Sequence, residues 1–300
     1  MQKETLTSLK KVAYALGKLL GLLGLTFVFY KLSQEYTVSS FADKFSSVSN
    51  ILLPLVLLNV LSILLGIYAW HIMLLHYAKK HFSYVTSYYY FAKTEIAKYL
   101  PGNVFHFIGR QALASKISIE QVHMAKISAL LTFLLLAGTL FSSTFFALLA
   151  IGIPTYILLL LLLGTVLALF AVFFSYTSFL LGKKIQMNIL LSLSVALQGI
   201  MLGLIIMHQN IHFDSGLFFL YVCIYIISWL IGFVTPGASG GLGVREGAFI
   251  AIVAFLHIDI TSEIVIFSVL LVRLINIFVD SMLFISTFLL ESKINKLHNI

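Results

Sequence analysis

Two short stretches hold most of the residues in this chain that are able to do chemistry. One reads Lys-Tyr-Leu-Pro-Gly-Asn at 98–103 and runs on to Arg110. The other reads Thr-Pro-Gly-Ala-Ser-Gly-Gly-Leu-Gly-Val-Arg-Glu-Gly at 235–247. Proline removes a backbone donor and glycine permits a sharp reversal, so Pro101-Gly102 and Pro236-Gly237 each interrupt a helix and free backbone polar groups. After Pro236, the glycines at Gly237, Gly240, Gly241, Gly243 and Gly247 let a backbone approach a neighbour closely, and the following helix presents a positive N-terminal end. That is an anion site in outline; tight helix contact is the other use for the same glycines. The run is neither a Walker A loop, lacking Gly-Lys-Ser/Thr, nor a dinucleotide fingerprint, lacking a preceding strand.

Arg110 and Arg245 each stand nine residues after their proline. If that interval is helical, each lies about 13 Å from its break, towards a membrane surface. Such an arginine either snorkels to the interface or clamps a lipid phosphate with its planar fork, and here one would serve the cytoplasmic mouth and one the outer mouth. Glu246 beside Arg245, and Glu95 with Lys98, are placed to balance the charge. Arg273, Asn276 and Asp280 recur at intervals of three and four, so they share a helix face. They either line a path or make polar contacts between helices, and Asp280 is also a candidate for a coupling proton.

Other residues point elsewhere. His208 and His212 stand one turn apart at the end of an apolar run and read as interfacial histidines rather than metal ligands. Gly199 and Gly203 form a small-xxx-small pair suited to helix packing. Cys223, the only cysteine, lies in an apolar run and excludes a disulfide framework. No HExxH and no Ser/His/Asp or Cys/His arrangement is present. The expectation is therefore a protein that is not an enzyme, with no catalytic residues, no metal and no cofactor.

The elements that must position these residues follow from composition. Of 300 residues, 60% are hydrophobic and 10% charged, and the mean hydropathy is +1.05. A soluble domain is about one quarter charged, so this is an all-α polytopic membrane protein. Six full spans are predicted, at 12–30, 51–75, 122–150, 154–181, 189–208 and 264–290. The first has lysines ahead of it like a signal peptide, but it is too long for one and lacks a cleavage site, so it reads as a retained anchor. The two broken segments cover 84–114 and 216–255.

Shifting the sequence by 135 places Pro101 on Pro236, Gly102 on Gly237 and Arg110 on Arg245. It also carries the first span onto the fourth and the third onto the sixth. The chain thus reads as one transmembrane domain over 1–300, built from a repeat of units at about 12–150 and 154–290, with eight or more membrane segments.

Net charge is +8, and the lysines cluster at span ends, which suits cytoplasmic loops and anionic lipid and leaves no patch for nucleic acid. If both broken segments turn back as re-entrant hairpins, Lys79, Lys80, Lys116, Lys183, Lys184, Lys293 and Lys296 all share the side of the N-terminus. If each crosses once, Lys116, Lys183 and Lys184 move outside, against the positive-inside rule. Turning back makes the second unit an inverted copy of the first and puts both termini in the cytoplasm. Inverted repeats with discontinuous helices are the architecture of alternating-access transporters.

The runs at 98–110 and 236–247 together resemble the transmembrane region of lysylphosphatidylglycerol synthases and its stand-alone, flippase-like relatives. The resemblance spans nearly the whole chain. It maps the family's motif onto Pro101, Gly102, Gly109, Arg110, Pro236, Gly237, Gly243, Arg245, Glu246 and Gly247. It implies a bacterial cytoplasmic membrane protein that moves an anionic-headgroup lipid between leaflets. Phospholipid, glycolipid and polyisoprenoid-linked sugar are all candidate cargoes, because stand-alone relatives often accompany cell-surface glycan genes. The resemblance covers the membrane part and not the aminoacyl-transferase domain of the bifunctional members, so lipid aminoacylation is not implied. The alternatives are a membrane transferase acting on a lipid-linked sugar and a non-transporting partner of envelope-biosynthesis enzymes; association into a homo-oligomer is compatible with any of these.

Overall fold

The computed structural model of the protein describes residues 26, 30, 38–77, 83–99, 105–114, 119–150, 152–174, 181–209 and 214–298. Every element among them is helical. In chain order they are α1 (Val38–Ser47), α2 (Ser49–Tyr77), α3 (Tyr84–Glu95), a 3-10 turn (Ile96–Tyr99), α4 (Phe105–Ala114), α5 (Gln121–Leu149) and α6 (Thr155–Phe174). There follow α7 (Leu181–Gln209), α8 (Ser215–Val234), a second 3-10 turn (Ser239–Gly241), α9 (Val244–Phe255) and α10 (Ser262–His298).

Among the described residues five stretches are long and apolar enough to cross a bilayer: Ser49–Tyr77, Gln121–Leu149, Leu181–Gln209, Ser215–Val234 and Ser262–Glu291. The protein is thus an all-α protein with the helices of a multi-pass membrane protein. Five of the six expected spans match, in whole or part, helices of this kind or the apolar helix α6. The expected 12–30 span lies almost wholly outside the described residues. The expected 154–181 span is cut short, because Leu181 already opens α7 and the apolar stretch of α6 is Thr155–Ala171.

The two broken segments differ in a way the sequence reading did not anticipate. The first arm of the second segment, α8, has 20 residues, about 30 Å of helix and enough to cross the hydrocarbon core alone. Its counterpart α3 has only 12 residues.

Local chemistry sets where these arms start. Ser83 caps α3 by accepting from the Thr86 N–H at 3.2 Å, and Asp214 caps α8 by accepting from the Gly216 N–H at 3.3 Å. Large apolar side chains such as Leu159, Leu163, Val166 and Phe170 of α6 face outwards. That would be costly in water but suits hydrocarbon surroundings.

Small and polar residues join the helices, as they must where lipid supplies no hydrophobic drive for association. A methyl on Gly138 of α5 would sit 2.9 Å from Ser192 Oγ of α7, and Ser142 Oγ donates to the Ser192 carbonyl at 2.9 Å. Gly199 and Gly203 of α7 face Val222 and Phe218 of α8 at similarly short range, so the small-xxx-small pair packs helices as expected. Buried Cys223 donates from Sγ to the Ser143 carbonyl at 3.4 Å.

Both broken segments fold back. α3 lies beside α4, with Gly109 against Thr94, and α8 lies beside α9, with Gly232 against Arg245. The two 3-10 turns touch each other, and α10 packs against α3, the first turn and α9. The two turns are thereby brought together beside α10.

Candidate functional site

Around the meeting point of the two turns lies a cavity of ≈ 170 Å³, lined by residues of both broken segments, α2, α5, α7 and α10. Its charged lining is Glu95, Lys98, Arg110, Arg245, Arg273 and Asp280. Buried charges need partners, so the pairing among these residues decides what the cavity can bind.

On the side of the first break the charges are matched. Arg110 Nη2 donates to Glu95 Oε2 at 2.8 Å, and the guanidinium packs on Phe91, 4.8 Å from the ring centre. Lys98 Nζ lies 2.9 Å from Asp280 Oδ2 and 3.4 Å from Glu95 Oε1. Tyr99 donates its hydroxyl hydrogen to Asp280 Oδ2 at 2.6 Å. Asp280 therefore ties α10 to the first turn.

On the side of the second break the pattern is different. Arg273 Nη1 donates to the Gly240 carbonyl at 2.9 Å, tying α10 to the second turn, while its Nε stands 3.9 Å from Glu246 Oε1. Arg245 makes no ion pair among the described residues; its guanidinium lies 5.7 Å from the Trp229 ring centre. Arg245 Nε, Arg273 Nε and Nη2, and Glu246 Oε2 are buried without hydrogen-bond partners.

The three residues singled out on the last helix all line this cavity, and Asn276 accepts from the amide of Asn59 on α2. Glu95 and Lys98 balance charge as expected. Glu246 does so for Arg273 rather than for its neighbour Arg245.

Two expectations are corrected. Arg110 and Arg245 do not serve opposite mouths. Both are buried, at 4% and 8% exposure, and both line the same cavity. The interval after Pro236 is a compact turn with positive φ at Gly237, Gly240, Gly241 and Gly243, so Arg245 is only the second residue of α9. Arg110 lies against Glu95, the last residue before the first turn.

The second correction concerns free backbone donors in the glycine run. Gly241 N–H is spent within the turn on the Ala238 carbonyl at 3.1 Å, and a Cβ at Gly241 would lie 3.3 Å from Gly232 backbone atoms. Close packing of the turn against α8 is what that glycine permits. Gly240 alone of the five lines the cavity. Gly243 precedes α9 with φ 77°, and a methyl on Gly247 would meet nothing within 4 Å.

Pro101, Gly102 and Lys116 lie outside the described residues, as does His212. His208 Nε2 is 3.2 Å from the Ser47 carbonyl. Among the described residues no three His, Cys, Asp or Glu side chains converge as a metal site would require.

Sequence reasoning passed over Tyr99, His106 and Trp229, which also line the cavity. Tyr99 sits beside Lys98 in the first motif, and a polar ring next to an interrupted helix was the available signal. Trp229 carries no sequence signal, since it becomes a neighbour of Arg245 only when α9 folds back on α8.

Beside this site a second, apolar cleft between α4 and α5 is lined by residues including Ala125, Ala129, Phe133 and Leu136, and it shares Phe107 and Thr132 with the charged cavity.

No family model matches the chain, and no curated protein matches it significantly.

Proposed function

We propose that the protein is a lipid flippase of the bacterial cytoplasmic membrane, moving a lipid with an anionic headgroup between leaflets while its tails stay in hydrocarbon. The observation that carries this reading is the interior cavity between two interrupted helices, rich in guanidinium groups and built into a helical bundle long enough to cross a bilayer. Discontinuous helices meeting at mid-bundle are how transporters present polar groups to a substrate away from water. The apolar cleft sharing Phe107 and Thr132 with the cavity offers a hydrocarbon chain a place beside a bound headgroup.

The motif resemblance to the transmembrane region of lysylphosphatidylglycerol synthases supports the same reading. So does the order of elements, since a long helix, a broken pair and a long helix occur twice at the 135-residue offset. In this account the two units are inverted repeats, both termini are cytoplasmic, Lys183 faces the cytoplasm and Asp259 faces out.

Purified protein in liposomes should move a fluorescent phosphatidylglycerol between leaflets faster than protein-free vesicles do. For the topology, a cysteine placed at 259 should react with an impermeant reagent in intact cells and one at 183 should not. Labelling at 183 would remove the inverted repeat.

A further inference from the structure

The pairing pattern around the cavity names the headgroup chemistry more narrowly than "anionic". With the flippase reading as its setting, we infer that the ligand is a lipid phosphodiester, carrying one negative charge and held by Arg245 and Arg273 at the second break. Arg110 is left out of the clamp because its charge is already matched by Glu95 through Nη2 at 2.8 Å, although its Nε, like that of Arg245, is buried without a partner.

Arg245 and Arg273 both keep unused donors. Arg245 has no ion pair among the described residues, and its Nε is buried without a partner. Arg273 spends Nη1 on Gly240 and keeps Nε and Nη2 without hydrogen-bond partners. Both residues are more than nine-tenths buried and both line the cavity. Two guanidinium groups held near each other in an interior repel, and an anion between them relieves that repulsion. Arg245 is also held in place from behind. A methyl on Gly232 would come within 3.0 Å of Arg245 Cβ, so the glycine lets the first turn of α9 press against α8.

Charge then selects among anions. The cations are Lys98, Arg110, Arg245 and Arg273; the carboxylates are Glu95 and Asp280 in the lining and Glu246 against Arg273. Counted with histidine uncharged, as in the net charge of the chain, these described groups leave a surplus of one positive charge. A phosphodiester carries one negative charge and cancels it. A phosphate monoester carries about −1.5 to −2 near neutral pH and overshoots, and a diphosphate overshoots further. Leaving net charge buried is costly, so the diester is the preferred occupant. Phospholipids and monophosphate-linked polyprenyl sugars satisfy this; diphosphate-linked sugars do not.

The test uses purified protein in detergent and short-chain lipids with the same tails that carry either a phosphodiester or a phosphomonoester. Binding of dihexanoyl phosphatidylglycerol, a diester, and dihexanoyl phosphatidic acid, a monoester, is followed by tryptophan fluorescence, because Trp229 adjoins Arg245. Phosphatidylglycerol should bind more tightly than phosphatidic acid, and inorganic phosphate at least tenfold more weakly than either. Arg245→Gln should weaken phosphatidylglycerol binding by about ten- to hundredfold, the loss expected for a charge-assisted bond. Arg245→Lys should fall between it and wild type, which guards against a folding defect in the glutamine variant.

Tighter binding of phosphatidic acid would overturn the charge argument. Inorganic phosphate binding as tightly as the lipid would overturn the lipid source. Unchanged phosphatidylglycerol binding by both Arg245 variants would overturn the site, even if the wild type flips lipid. Binding that depends on Arg245 in a protein that moves no lipid would keep the site and remove the flippase reading.

Discussion

The two helix breaks carry the same motif, Pro-Gly followed nine residues after the proline by arginine, and yet they offer different chemistry. At the first, Arg110 is neutralised by Glu95, Lys98 by Asp280, and the turn is tied to α10 through Tyr99. At the second, Arg245 has no ion pair among the described residues, the turn is built from glycines at positive φ, and the tie to α10 is a backbone carbonyl held by Arg273. An arginine's role is set by whether a carboxylate reaches it. The equivalent of Glu95 at the 135-residue offset is Leu230, which is why the second arginine is left over. The first break reads as the fixed side of the cavity and the second as the side that meets a ligand.

The largest effect that could break this comparison is on stability at the first break. Glu95→Gln leaves Arg110 without its partner and Lys98 with one fewer, and removal of one member of a buried pair costs about 3–5 kcal/mol. Denaturation in detergent should show a loss of that order. Glu246→Gln, whose ion pair is long at 3.9 Å, should lose much less. Equal losses would erase the distinction between the breaks.

Asp280→Asn should come next, at about 2 kcal/mol. It removes a carboxylate bonded to both Lys98 and Tyr99, discounted because Lys98 is partly exposed. Proteolysis within the first turn should quicken in that variant, because its ties to α10 are lost. An unchanged digestion pattern would mean that α10 does not hold the turn.

Two glycines sharpen the contrast at smaller scale. Gly241→Ala forces a side chain into φ 73° and into contact with Gly232, and should cost about 1–3 kcal/mol. Gly247→Ala sits within α9 with open space around it, and should stabilise by up to about 1 kcal/mol. Thermal melts of the two variants should move in opposite directions; a shared direction would mean the run acts as one unit.

How much of this was legible in the sequence follows a physical line. Most apolar runs of span length, the reversal after Pro236 and the shared face of Arg273, Asn276 and Asp280 are local properties of the chain, and among the described residues they appear where the sequence put them. What failed was direction. Treating the nine residues before Arg245 as helix ignored that four glycines there take positive φ and break the helical path, and Arg245 lines the cavity. The length of α8 was hidden because Pro236 drew attention to the break rather than to the uninterrupted apolar arm before it. Partners such as Trp229 for Arg245, or Asn59 for Asn276, depend on packing between distant elements, for which one sequence carries no signal.

The central claim, that the second break is where a lipid headgroup is held during movement, is tested most directly by one measurement. Leaflet-to-leaflet transfer of fluorescent phosphatidylglycerol is timed in liposomes holding equal amounts of wild type, Arg245→Gln or Arg110→Lys. The account predicts transfer by wild type well above protein-free vesicles, a loss of about tenfold or more in Arg245→Gln for want of a charge-assisted bond, and a smaller loss in Arg110→Lys, whose charge beside Glu95 is kept. Wild-type rates equal to those of empty vesicles, or an Arg245→Gln protein that moves lipid at the wild-type rate, would contradict it.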